Sequence, residues 1–296
     1  MNAAKISHSL EFNLFYFWNL ESLSILLCVD LIIFLETNIV KTISINLIDH
    51  YNSYYSQVAL LPEIITCKGE ILHNERNLIK KITIENDCGK PIPIVVKEFR
   101  TPWLLRGYID LNFRNSKALR SLNNAKRLLE LGVKTPDPIG CFEHHEFNCV
   151  RQCYYISRFW EHNYELSSLL YQGISYGQNT KKILLELARF TAKQHDCGIM
   201  HLDYNPGNIL TRIKNDKIDF SLVDLNRLKF TRLGWKDRIT GLTRLTLYPD
   251  KLRIIGRHYA NINETDQDKF CRQLEQAHSQ FWKNRTRQKR ILSILK

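Results

Sequence analysis

The chain is poor in glycine (12) and proline (8) for its 296 residues, and no repeat of fixed period runs through it. Those absences exclude collagen-like, low-complexity and solenoid architectures. Its eight cysteines include no CxxC pair; Cys149 and Cys153 are the closest two, and no histidine follows them at zinc-finger spacing. Eight cysteines in so long a chain are no disulfide scaffold, which points to reduced thiols in a cytoplasmic protein. A long uncharged run is missing as well. The most apolar stretch, Phe12 to Leu35, is broken by Glu21 and Asp30 and flanked by Glu11 and Glu36, so no charge-free segment there reaches ten residues. A membrane span needs about 20 apolar residues, and each acid near the bilayer centre costs roughly 2.5–3.5 kcal/mol. A span is therefore disfavoured. A secretory signal is disfavoured too, because the basic leader and the small-residue cleavage site are lacking. A partner-binding or membrane-surface helix, or sequence translated from upstream of the true start, remain open for this stretch.

What is present is an ordinary globular composition, 44% hydrophobic and 24% charged, long enough for one large domain or two small ones. Positive charge is in excess (+12) but unevenly placed: residues 1–60 hold two Lys/Arg against five Asp/Glu, residues 61–296 hold 40 against 25. The body of the protein thus favours an anionic partner: a nucleotide, a phosphorylated sugar, a membrane surface or a nucleic acid. No nucleic-acid-binding motif accompanies the charge, and none is expected as partner.

Residues 64–100 read as strands joined by turns. Ile43, Ile45 and Leu47 alternate with polar residues as in a half-buried strand, and the runs Ile79–Ile84 and Ile92–Phe99 flank the turn 86–90 as a hairpin. In the second run Val95, Lys97 and Phe99 share a face. Such a lysine is either an edge residue or one that reaches a nucleotide phosphate. A helix follows over Ser116–Leu131, stopped by Gly132, then a strand over Tyr154–Trp160 and an amphipathic helix over Thr180–His195 closed by Gly198. His144 and His145 fall in a polar stretch, Glu143 to Asn148, that reads as a loop. The remainder is mainly helical.

Two segments carry chemistry. His201-Leu202-Asp203 continues to Asn208 in the pattern H-x-D-x-x-x-x-N, and Asp224 ends an apolar strand sixteen residues beyond Asn208. A hairpin through Lys214–Lys217 returns the chain between them. This is the kinase catalytic-loop pattern followed by an acid where kinases carry D-F-G. Phosphoryl transfer needs a carboxylate to accept the acceptor hydroxyl's proton and a sparse oxygen shell for Mg²⁺. Asp203 alone could be a turn residue; the whole ordered series is harder to assemble by chance.

With Val95–Phe99, Gly132–Pro138, His201–Leu210 and Val223–Arg227 together, the sequence resembles the lipopolysaccharide core kinase family (Kdo/WaaP type) from about residue 65 onward. The resemblance implies an α+β, bilobal protein-kinase-like fold. A β-rich N-lobe would span 61–160 and a mainly helical C-lobe 161–296, with residues 1–60 as an extension of unknown role. It implies ATP-dependent phosphorylation of a heptose or Kdo hydroxyl of the inner core. Lys97 would bind the α/β-phosphates, Asp203 would be the base, and Asn208 and Asp224 would hold Mg²⁺. The partners implied are ATP and a sugar or glycolipid acceptor. The C-terminal basic run (Lys283, Arg285, Arg287, Lys289, Arg290, Lys296) reads as a solvated tail or a peripheral contact to anionic lipid at the inner membrane.

The chain departs from the kinase pattern in several places. The hairpin around Ile71–Lys80 has no glycine; the only acid of the helix Ser116–Leu131 is Glu130, in its last turn, leaving Asn123 or Asn124 to stand in for a glutamate facing Lys97. Asn226 stands where D-F-G has its glycine, as a residue that enters the left-handed region readily. No A-P-E segment follows, which favours a small or glycolipid acceptor over a protein. The rival readings are a pseudokinase that binds nucleotide or a partner without turnover, and a kinase-like phosphotransferase acting on a protein or small metabolite. Arg100, Arg106, Arg114, Lys117 and Arg120 lie near the expected cleft, as a solvated face or a site for an anionic acceptor.

Overall fold

The β-branched runs of the first half build one six-stranded sheet. The computed structural model describes residues 41–100, 115–146, 149–171 and 179–294. Phe12–Leu35, Arg106, Arg114 and Lys296 lie outside the described residues, as does the side chain of Lys289. β1 (Thr42–Leu47) leads through a 3-10 turn (Asp49–Tyr54) into two short helices, α1 (Tyr55–Ala59) and α2 (Leu61–Cys67). Then follow β2 (Glu70–Asn74), β3 (Leu78–Glu85), β4 (Pro91–Glu98), the helix α3 (Lys117–Glu130), β5 (Pro138–Glu146) and β6 (Cys149–Arg158). The sheet order is β1-β5-β6-β4-β3-β2, antiparallel throughout.

Both faces of this sheet are covered. Ile92, Ile94 and Val96 of β4 point to the face packed by Val58, Leu61 and Ile65. Each such fully buried aliphatic side chain contributes about 1.5–3 kcal/mol. Residues 64–67 are therefore helical rather than extended, because Leu61 and Ile65 lie one helical turn apart and cover the sheet together. The other face looks onto α3, whose buried Ala118, Leu122, Ala125 and Leu128 repeat at helical spacing. Ser116 caps α3, its Oγ accepting from the Leu119 amide at 3.0 Å, and Gly132 at φ +68° ends it.

His144 and His145 do not lie in a loop. They belong to β5, where His144 pairs with Gln152 and Ile43, and His145 pairs with Val150 and Thr42. A polar segment is extended here because strands on both sides take up its backbone hydrogen bonds.

The second lobe starts with β7 (Tyr164–Glu165), α4 (Leu166–Tyr171) and α5 (Asn179–Asp196). β8 (Ile199–His201), β9 (Ile209–Lys214), β10 (Lys217–Leu222) and β11 (Leu228–Phe230) carry the functional loops. The β9–β10 turn has both central residues, Asn215 (φ 48°) and Asp216 (φ 61°), in the left-handed region, the hairpin geometry that matches strand twist. α6 (Trp235–Leu242), α7 (Pro249–Ile262) and α8 (Gln267–Ile294) complete the lobe. At their junction Tyr259 stacks on Phe270 and Trp235 packs tilted against both. The six described cysteines whose side chains are placed are free thiols. Among the described residues no helix is long and apolar enough to cross a membrane.

Candidate active site

Lys97 arrives on β4 from one lobe and Asp224 from the end of β10 in the other. With Ile92, Ile94 and Val96 committed to the back of the sheet, the alternation turns Lys97 towards α3 and the second lobe. Its side chain is 12% exposed and its Nζ bonds the Asp224 Oδ1 directly. Asp224 itself takes the left-handed conformation (φ 58°, ψ 52°), and a 3-10 turn (Leu225–Arg227) follows it. This is the strained backbone position of the segment, and aspartate tolerates it better than most residues.

That finding corrects one expectation from the sequence. Asn226 is not left-handed; it is buried in the 3-10 turn, and its Nδ2 donates to Asp224 Oδ1 at 2.7 Å. The residue standing where a flexible glycine was expected instead holds the carboxylate. Asn124 likewise does not pair with Lys97: its Nδ2 donates to the Leu225 carbonyl at 2.7 Å, so α3 fixes the turn after Asp224. Asn123 is exposed. From the other side, the segment after Gly132 clamps β10, with Leu222 N donating to Lys134 O at 3.0 Å and Thr135 Oγ1 to Leu222 O at 2.8 Å.

The loop from His201 to Asn208 is fixed by its own side chains. His201 Nδ1 accepts the Asp203 amide at 3.1 Å, so its proton sits on Nε2 and is donated to Val223 O at 3.2 Å. One neutral ring thereby ties the two functional segments together. Asn205 Oδ1 accepts from Gly207 N at 3.0 Å, with Pro206 opening the 3-10 turn. Asn208 Nδ2 donates to Asp203 O at 2.9 Å, and Val223 N donates to Asn208 O at 3.0 Å. Beneath the loop, buried Tyr204 reaches Thr191 (2.9 Å) and Gln194 (3.0 Å) of α5. The four residues singled out in the sequence are thus brought together: Lys97 meets Asp224, and Asn208 bonds both Asp203 and the Val223 amide beside Asp224.

Burial pushes the Asp224 carboxyl up, but the Lys97 ammonium, through charge and hydrogen bond, outweighs burial and holds it below the usual value. Burial lowers His201, against its bond to Val223 and the charges of Asp224 and Asp203. The ring is built to stay neutral. Asn208 Oδ1 and Asp224 Oδ2 engage no hydrogen bond among the described residues. They are the oxygens suited to a divalent cation that keeps most of its shell as water and phosphate. Among the described residues no three His, Cys, Asp or Glu converge.

Two arginines that the motif reading gave no role flank Asp203. Arg227 Nη1 lies 4.0 Å from Oδ2 and Arg244 Nη1 3.5 Å from Oδ1. Arg227 sat in plain view beside Asp224. Arg244, beyond the end of α6, carried no motif, and only the fold brings it in. Of the basic residues expected near the cleft, Arg106 and Arg114 lie outside the described residues, and Lys117 shares the ring of Phe99 with Lys97. Arg100 donates to Glu75 O (2.8 Å) and Asn74 Oδ1 (2.6 Å) at the β2–β3 turn, and Arg120 binds the Asn115 carbonyl.

An antiparallel sheet lobe carrying a lysine, joined to a helical lobe carrying H-x-D, Asn and Asp on adjacent turns, defines a kinase-like phosphotransferase. The family model of the lipopolysaccharide kinase (Kdo/WaaP) family matches residues 100–270, more than half of the chain. The chain belongs to that family, and it is a kinase. Lys97 lies just outside the matched segment and rests on the geometry alone. No curated protein matches the sequence. A solved structure, "WaaP in complex with acyl carrier protein", is 16% identical with a TM-score of 0.55, covering 83% of this chain and 98% of that one. That likeness is one of fold, and it bears out the kinase-like bilobal architecture.

Proposed function

We propose that the protein transfers the γ-phosphate of ATP to a heptose or Kdo hydroxyl of the lipopolysaccharide inner core. The observation that carries this is the contact of Lys97 with Asp224 across the two lobes, beside a loop that presents Asp203 and Asn208. In this reading Asp203 accepts the hydroxyl proton as the sugar oxygen bonds to the γ-phosphorus and the bond to the β–γ bridging oxygen breaks, releasing ADP. Lys97 leaves Asp224 to meet the α/β-phosphates. Asn208 and Asp224 hold Mg²⁺, which supplies charge stabilisation on the β- and γ-phosphates.

His201 keeps the two segments in register through its bonds to the Asp203 amide and the Val223 carbonyl. The exposed Lys283, Arg287 and Arg290 of α8, which line a groove with Leu247 and Trp282, support a peripheral contact of the enzyme with anionic lipid.

The test is γ-phosphate transfer from ATP with Mg²⁺ to a panel of dephosphorylated cores, beside the Asp203→Ala protein. Transfer lost in the variant is the expected result. Transfer that survives it removes Asp203 as base. ATP binding that needs Mg²⁺, with no transfer to any core, favours the pseudokinase.

A further inference from the structure

The base position carries more positive charge than proton transfer requires. Lys97 is already matched by Asp224. Arg227 and Arg244 both converge on the single carboxylate of Asp203, one at each oxygen. At 4.0 and 3.5 Å these are loose contacts, beyond or at the limit of a good hydrogen bond. They mark guanidinium groups gathered at this spot with donors to spare.

The two are held differently. Arg244 is fixed: its Nη1 donates to Leu202 O and its guanidinium lies 5.0 Å over the ring of Phe281 on α8. A guanidinium lying over a ring and bonded to a backbone carbonyl, 34% exposed, is held in place more firmly than a free surface charge. Arg227 has a fixed backbone, its carbonyl accepting from Leu202 N at 3.0 Å, but a side chain that is 62% exposed and free to turn. Both come from the second lobe and meet the carboxylate of Asp203, the group read as the base.

We propose that Arg227 and Arg244 form the receptor for an oxyanion, a carboxylate or a phosphate, that the acceptor sugar carries beside its reacting hydroxyl. This deepens the reading of Asp203 as base and rests on it. When the hydroxyl takes an oxygen of Asp203, the guanidinium there must move off. An acidic acceptor offers that group a new, bidentate partner. A neutral acceptor leaves two cations facing each other without one. The pair therefore selects acidic over neutral acceptors, and Arg227, the movable member, sets the preference.

The experiment uses the full chain, saturating ATP and Mg²⁺, and four acceptors: a Kdo-terminated core, its carboxyl-reduced counterpart, and a heptose acceptor with and without a neighbouring phosphate. In the wild type, carboxyl reduction is expected to lower kcat/KM at least tenfold. Arg227→Gln is expected to raise KM for the acidic acceptor about tenfold, leave KM for ATP within twofold, and abolish the discrimination; Arg227→Lys recovers part of it. The Kdo and phosphoheptose arms separate carboxylate from phosphate recognition. Equal losses on acidic and neutral acceptors, or a rise confined to the KM for ATP, would overturn the proposal.

Asp203→Asn, assayed in parallel, tests the base on its own. Transfer that survives it sinks the reading of the base, whereas its loss together with an indifferent Arg227→Gln sinks only the receptor. If no acceptor turns over, titration calorimetry of free Kdo and its methyl ester with the same variants decides. Binding that ignores both the carboxylate and Arg227 refutes the receptor.

Discussion

Replacing Asp224 by asparagine removes the charge that matches Lys97 and keeps the shape. The two side chains are 12% and 23% exposed, between a surface pair and a sealed one. Exposed pairs are worth about 0–1 kcal/mol, whereas breaking a fully buried pair costs about 3–5 kcal/mol. The remaining access of water places Asp224→Asn at about 2–3 kcal/mol, including the weakened bond from Asn226. For a chain of this size that is a fall of about 3–5 °C in Tm.

Lys97→Met should cost less, about 1–2 kcal/mol, because Asn226 still bonds the carboxylate and water reaches its second oxygen. The double variant decides. With Asp224 already neutral, Lys97→Met removes an uncompensated buried cation and should be nearly neutral or stabilising. Urea unfolding at pH 7, followed by circular dichroism and tryptophan fluorescence, measures all four proteins. Midpoints should move at unchanged m, and the coupling should persist in 0.5 M salt because a buried pair is poorly screened. Losses that add to within about 0.5 kcal/mol would mean that the pair carries no coupling, and the argument would fail.

Asn226→Gly should destabilise by about 2–3 kcal/mol, from the lost bond to a charged acceptor and the added freedom of the unfolded chain; a gain in Tm would show that the turn wanted glycine after all. Gly140→Ala should cost about 1–3 kcal/mol and lower Tm, because a Cβ there would meet Asn46 O at 2.4 Å and Leu47 Cδ2 at 2.6 Å across the β1–β5 pair. Acid should weaken the fold early. Burial and the nearby Arg238 push His195 down to about 3, so the unfolded chain binds more protons below its ordinary value of 6.5. The stability is present above that value and lost as pH falls, by about 2 kcal/mol between pH 6.5 and 5 from this ring alone. Urea midpoints at the two pH values, with His195→Gln expected to flatten the slope, check this.

The spacing of the candidate residues was legible because it is dictated by local geometry. A tight loop fixes Asp203 against Asn208, and a two-residue hairpin fixes the return to Asp224. Strand alternation put Lys97 on a face with Val95 and Phe99 but left edge residue and site residue open; only the fold brings it to Asp224. Elsewhere local patterns gave way to long-range ones. His144 and His145 look like loop residues until β1 and β6 are seen to flank them. Leu61–Cys67 has too short an apolar pattern to tell helix from strand. Asn226 was misread because the glycine-like conformation had moved two residues back, onto Asp224. Arg244 is invisible to any motif, since nothing near it in sequence hints that it meets Asp203.

The contact between Lys97 and Asp224 joins residues 127 apart in the chain. Local helices and hairpins close quickly, and pairings over such separations come late because the loop entropy must be overcome first. A second lobe closed on its own already holds Asp203, Asn208, Asp224 and both arginines, yet lacks the Lys97 contact to Asp224. The candidate site is thus incomplete until the sheet lobe has docked. A half-made chain emerging from the ribosome carries the sheet lobe and Lys97 but none of His201, Asp203, Asn208 or Asp224, so the site can be assembled only when the second lobe follows and docks.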